Sequence, residues 1–344
     1  MEPYQDVRAG YLEFAAYAEG ESPCFEEWAR GVADDADVVA WLERLPPLKR
    51  QPNLVFAAAR HHGVPAPGPY AGLRAALLGD GGEIRATIST RATQTNEVGR
   101  LATLVPALSV ISSAAGEAPL TLVEAGASAG LCLYPDRWAY TWRTAEGEVH
   151  AAPPGHPADG PRLSCEVTGP APLPGRPPRV AARHGLDLSP VDVTDDDQLG
   201  WLSTLVWPEH EDRRERLSEA VRVLRREPPR LVAGDLRGDL AGLVGLVEQV
   251  ATTAEGPVVV FHSAVVAYLD EPDRRAFAAT MAELVAAGTC HWVSNEGPNV
   301  VPEVTASAPP AVDRSTDFVL GVDGRAVAWT HGHGRSMHWF GTAG

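Results

Sequence analysis

The chain has 344 residues, and 45 acidic against 29 basic side chains leave a formal net charge of −16. Such a surface repels a phosphate backbone, which excludes non-specific nucleic-acid binding, and 44% hydrophobic with 22% charged residues excludes a wholly disordered chain. No run approaches the ~18 apolar residues of a membrane span; with a polar start at residues 1–9 and scattered Cys24, Cys132, Cys165 and Cys290, this predicts a cytoplasmic protein with neither disulfide framework nor metal centre.

At roughly 150 residues per domain this length predicts about two. Residues 1–117 read as a helical domain. Tyr11, Phe14, Ala15 and Ala18 repeat at helical spacing, and Ser22-Pro23 has the form of an N-cap followed by proline, ahead of Phe25, Trp28 and Ala29. Asp34 or Asp35 caps a segment carrying Val38, Trp41, Leu42 and Leu45, which Pro46-Pro47 stops. Residues 52–62, 70–78 and 97–111 are further helical segments between glycine and proline punctuation.

The second domain, 118–344, changes pattern. Leu120-Thr-Leu-Val-Glu124 is the apolar run of a buried parallel strand and enters a small-residue turn at 126–130, after which a helix is expected from Leu131. Nine prolines among residues 153–178 mark a loop or edge insertion over about 150–180. Strands are then expected at 230–235, 257–263 and 289–294, alternating with helices at 240–250 and 273–287, before a hairpin at 318–322 and 326–330. Alternation of this kind implies an α/β protein with a doubly wound, Rossmann-like sheet.

Such sheets bind ligands beyond the carboxyl ends of their strands. The turn Glu124-Ala-Gly126-Ala-Ser128-Ala-Gly130 is the first candidate, because small residues let a ligand approach the main chain and amides at a helix start favour a polar or anionic group. Its bland reading is a tight turn with no ligand. Asp187 and Asp235 follow later strands, where carboxylates accept from ribose hydroxyls and an adenine amino group; each is equally a turn former or cap.

This arrangement resembles the class I S-adenosylmethionine-dependent methyltransferases over residues ~118–340, and more narrowly a bacterial family of unassigned reaction with an N-terminal helical region. The resemblance is carried by Gln94-Thr-Asn-Glu-Val-Gly-Arg100, the turn from Glu124 to Leu131, residues 183–192, Trp207-Pro-Glu209 and His331-Gly-His-Gly334. It implies S-adenosylmethionine as cofactor and a small-molecule acceptor. Glu124, Gly126, Ser128 and Gly130 would hold the methionine end, Asp187 the ribose and Asp235 the adenine. Asp187 departs from the family's spacing, standing 57 residues beyond Gly130.

His262 and Glu296, at strand ends, are the candidate general bases, and Asn96, Glu97, Arg100 and Arg137 the candidate acceptor-binding residues. Trp201 and Trp207 are expected to pack between the domains. His331 and His333 share a strand face, with no further ligand to complete a metal site. Two alternatives stay open. Gly126-Ala-Ser128-Ala-Gly130 also matches the elbow of a serine hydrolase, with Asp270 and His331 or His333 completing a triad order. A nucleoside-binding module without catalysis uses the same cofactor residues.

Overall fold

Apolar positions three and four residues apart, each run opened by a polar cap, make the first part of the chain helical. In the computed structural model, which describes residues 5–94, 97–157, 162–238, 240–310 and 317–341, these helices are α1 (Val7–Ala18), α2 (Pro23–Asp34), α3 (Ala36–Leu42), α4 (Pro52–His61), α5 (Tyr70–Leu78) and α6 (Glu83–Thr90). The Ser22 hydroxyl accepts from the Phe25 amide with Pro23 in the first turn. Asp35, not Asp34, caps α3 by accepting from the Asp37 and Val38 amides. α6 occupies a stretch to which the sequence reading gave no element.

The chain clusters into two units, Met1–Thr95 with Val193–Leu217, and Asn96–Asp192 with Ser218–Gly344. Helix α7 (Leu101–Ala114), inside the 1–117 stretch, therefore clusters with the sheet, whereas α8 (Asp196–Leu205) belongs to the helical unit and α9 (Glu211–Arg226) crosses the division. In the helical unit Phe56 meets Phe25 and Trp28 edge-on at 5.0 and 5.4 Å between centroids. Trp201 and Trp207 are buried in this same core. Trp207 Nε1 donates to Asn53 Oδ1 and Trp201 Nε1 to the Ala92 carbonyl. Glu209 accepts from the Ser22 hydroxyl and the Cys24 amide. Residues 201–209 thus pack inside the helical unit, which corrects the expected place between domains.

In the other unit the strands are β1 (Leu120–Ala125), β2 (Ala139–Thr144), β3 (Gly147–Ala151), β4 (Arg162–Thr168), β5 (Val180–Asp187), β6 (Arg230–Ala233), β7 (Val258–Ser263), β8 (His291–Glu296), β9 (Asp317–Val322), β10 (Arg325–His331) and β11 (Ser336–Trp339). Among the described residues they form one mixed sheet of order β3-β2-β4-β11-β10-β9-β8-β7-β1-β5-β6. β5, β6, β7 and β8 run parallel to β1 or to its neighbours. β6 and β7 are joined through α10 (Ala241–Ala251), and β7 and β8 through α11 (Glu271–Ala286), the crossovers that parallel pairing demands. A short α12 (Pro302–Thr305) precedes β9. Val123, Ala125, Val258 and Val260 share a core with Leu243 and Val247 of α10 and Phe277 and Met281 of α11. Strand alternation turns Leu122 and Glu124 to the opposite face.

Two expectations fail here. No α-helix follows the 126–130 turn; short 3-10 turns at Leu131–Leu133 and Pro135–Arg137 lead straight into β2. The stretch 150–180 is not only loop, because β4 lies within the sheet between β2 and β11.

Candidate functional site

Strand order reverses between β1 and β7: β5 and β6 lie to one side of β1, β7 and β8 to the other. Loops that leave the carboxyl ends of β1 and β7 diverge at such a point and open a crevice. Both loops carry a non-glycine residue in left-handed conformation, Ser128 at φ 50° and Ala264 at φ 55°. A left-handed non-glycine backbone costs of order 1–3 kcal/mol and concentrates at working sites.

The first loop is held from the end of β5. The Gly126 and Ala127 amides donate to the Leu186 carbonyl at 2.8 and 3.2 Å, and the Gly130 amide to Ala127 at 2.6 Å. The Ser128 amide donates to Asp187 Oδ2 at 2.7 Å. Gly126, at φ 74°, lies against Val265, whose Cγ2 would stand 2.2 Å from a Cβ at that position. These amides are therefore engaged within the protein, and with no helix behind the turn the expected anion cradle at residues 126–130 is absent. Asp187 remains a candidate. Its other oxygen accepts from Ser189 N at 2.8 Å, which fixes the half-buried carboxylate while each oxygen keeps acceptor capacity.

Glu124 lies behind this loop, and its Oε2 has no hydrogen-bond partner. Burial pushes its carboxyl well above the usual range; the nearby Arg100 opposes that shift and Asp187 adds to it. Arg100, 5% exposed, donates to the Ser263 carbonyl at 3.0 Å and the Gly332 carbonyl at 2.8 Å. One guanidinium thus ties the loop after β7 to the turn after β10. Glu97, buried, caps its own turn by accepting from the Gly99 amide. Asn96 lies outside the described residues.

The second loop rests on the candidate bases. His262 Nδ1 donates to Glu296 Oε1 at 2.8 Å, and Trp292 Nε1 donates to His262 Nε2 at 3.0 Å. The same carboxylate oxygen accepts from the Val265 and Val266 amides at 3.0 and 3.1 Å. His262 is fully buried with both ring nitrogens engaged. The pair expected to exchange protons with substrate instead shapes the turn that carries Ala264. Asn295, in the Ser294-Asn-Glu296 strand end that the sequence also marks, extends this polar layer: its amide donates to Ser263 Oγ and its carbonyl accepts from Thr330 Oγ1.

Two further assignments change. Asp235 is exposed and gripped by Arg237, whose Nε and main-chain N both bond it at 2.9 Å; that partner holds the carboxyl below its usual range. Arg137 donates to Asp136 and Glu227 at 2.6 Å each. Arg183 also donates to Asp136, at 2.9 Å, and stands over the Tyr134 ring. This network pins the 131–137 segment to β5, so Arg137 is committed to structure rather than to a substrate carboxylate. Its partners lie up to 90 residues away, and adjacency in sequence revealed only Asp136.

The features of a serine-hydrolase elbow are not met at two points. Ser128 is 5% exposed on a turn that no helix follows, and Asp270 caps α11 by accepting from the Asp273 amide.

Fold and site together define a mixed α/β protein whose candidate site lies where its parallel strands change direction of progression. The chain belongs to the family described as uncharacterized protein conserved in bacteria (DUF2332), which matches residues 8–339. No curated protein and no solved structure matches the chain.

Proposed function

We propose that the sheet unit is an S-adenosylmethionine-dependent methyltransferase domain acting on a small-molecule acceptor. The observation that carries this reading is the order β6-β5-β1-β7-β8 followed by antiparallel β9, with the left-handed residues Ser128 and Ala264 in the two loops that leave β1 and β7 at the reversal. A class I methyltransferase sheet has the same succession of parallel strands, and its cofactor lies at that reversal.

The residues present fit the cofactor at two points. Asp187 is oriented by two amides, with lone pairs left for the ribose hydroxyls. Glu124 offers a buried oxygen without a donor, which a cationic amino-acid end would satisfy. Asp235 does not fit as the adenine partner while Arg237 holds it, and the 126–130 amides do not fit as free donors. When bound, the cofactor supplies a methyl group already activated by its sulfonium; the protein's task is to align the acceptor and exclude water.

Isothermal titration with S-adenosylhomocysteine tests this. The wild type is expected to bind, Asp187→Asn to bind about 10- to 100-fold more weakly, as loss of a charged hydrogen-bond acceptor implies, and Asp235→Ala to bind as the wild type does. Absence of heat with the wild type overturns the reading.

A further inference from the structure

A cavity of about 680 Å³ opens at the amino ends of β7 and β8, the opposite end of these strands from the candidate site. That volume falls within the range of small-molecule sites, about 300–1,000 Å³. Pro257, Val258 and Val285 give it an apolar wall. α10 and α11 both end against it, at Ala251 and Ala287.

The charge around this cavity is one-sided. Each helix C-terminus carries the partial negative charge of its last carbonyls, which a basic side chain ordinarily answers. Arg225 and Arg226 do so in the last turn of α9, whereas the last turns of α10 and α11 hold no basic residue. Glu248, exposed in the last turn of α10, adds a carboxylate, and among the described residues no cation pairs with it.

His291, at the start of β8, is the one described lining group able to carry positive charge. Its Nδ1 donates to Asp323 Oδ2 at 2.8 Å, and Asp323 Oδ1 accepts from the Trp292 amide at 2.7 Å. These bonds fix the ring and leave Nε2 of the neutral imidazole as an acceptor. The Asp323 carboxylate raises the ring's pKa, but a proton gained there only cancels the Asp323 charge. Burial pushes the Cys290 thiol up to about 12, so that part of the lining stays uncharged.

We propose that this cavity is a second ligand site and that it takes a small organic ammonium ion with an apolar body. The ammonium group answers Glu248, the two helix ends and the His291 Nε2 lone pair, and the apolar body lies against Val258 and Val285. An anion of the same size finds no permanent cation here. The inference stands independently of the methyltransferase reading.

The test titrates nitrogen-15 histidine-labelled full-length protein with phenethylamine, the His291 signal being assigned through His291→Gln. At about pH 8.5 an alkylammonium keeps its proton while an imidazole is largely neutral. The matched anion 3-phenylpropionate and the neutral 2-phenylethanol serve as comparisons. Phenethylamine is expected to shift the His291 signal saturably, and 3-phenylpropionate to leave it in place. Glu248→Gln should weaken phenethylamine about tenfold, as loss of a charge-assisted hydrogen bond implies. Glu303→Gln, which removes an exposed acid outside the cavity, should leave its affinity unchanged. The absence of a saturable shift, equal binding of all three compounds, or equal weakening by the two glutamate variants overturns the assignment.

Discussion

Glu124 shows how one side chain couples the site to stability. Its carboxyl is raised above the ordinary value of 4.5 by burial. Between that value and the raised one, the folded protein keeps a proton that the unfolded chain has released. Stability therefore falls as pH rises through this window. Glu124→Gln removes the dependence, so denaturant titration at a series of pH values should find the variant increasingly more stable than wild type as pH rises from 5 to 8. A constant difference would mean that Glu124 is ionised when folded. Glu124 and Asp187 can be picked out in the sequence because acids at the ends of apolar runs are conspicuous. The commitment of His262 cannot: it depends on Trp292 and Glu296, 30 and 34 residues away. Asp235 is the opposite case, since its partner Arg237 is only two residues on and a short-range ion pair was there to be read.

Among the elements, continuous apolar runs reveal the core strands. β1 is buried at every position and β7 at all but its last. Insertion strands were hidden by composition. β4 alternates between exposed and buried along its whole length and contains no proline, yet the prolines on both sides mask it. The missing helix after Gly130 has a tertiary cause, because Arg183, Asp136 and Glu227 hold the 131–137 segment in 3-10 turns against β5. At the same scale, Gly126 and Gly238 share nearly the same left-handed φ, 74° and 73°, but only Gly126 has a neighbour where a Cβ would go. Alanine at 238 should cost about 1 kcal/mol in backbone strain. Alanine at 126 should cost about 1–3 kcal/mol more, through overlap with Val265. Equal losses on chemical denaturation would show that the β1 and β7 loops are not packed against each other.

At the scale of the whole molecule, the two units draw on different physics. The helical unit is held by an aromatic core that takes Trp207 from a segment more than 140 residues downstream of Phe56, so its boundary could not be drawn from local composition. The sheet unit gathers the 97–100, 124–130, 183–187 and 331–334 stretches along one edge through strand order, a property of pairing that periodicity does not encode. Among the described residues no helix is long and apolar enough to cross a membrane. The central claim is that this edge is a nucleoside site. Hydrogen–deuterium exchange of the full chain with saturating S-adenosylhomocysteine addresses it most directly. Slowed exchange confined to residues 124–131, 185–192 and 262–268 is the predicted result; unchanged exchange there, or protection only at the opposite ends of the strands, would contradict it.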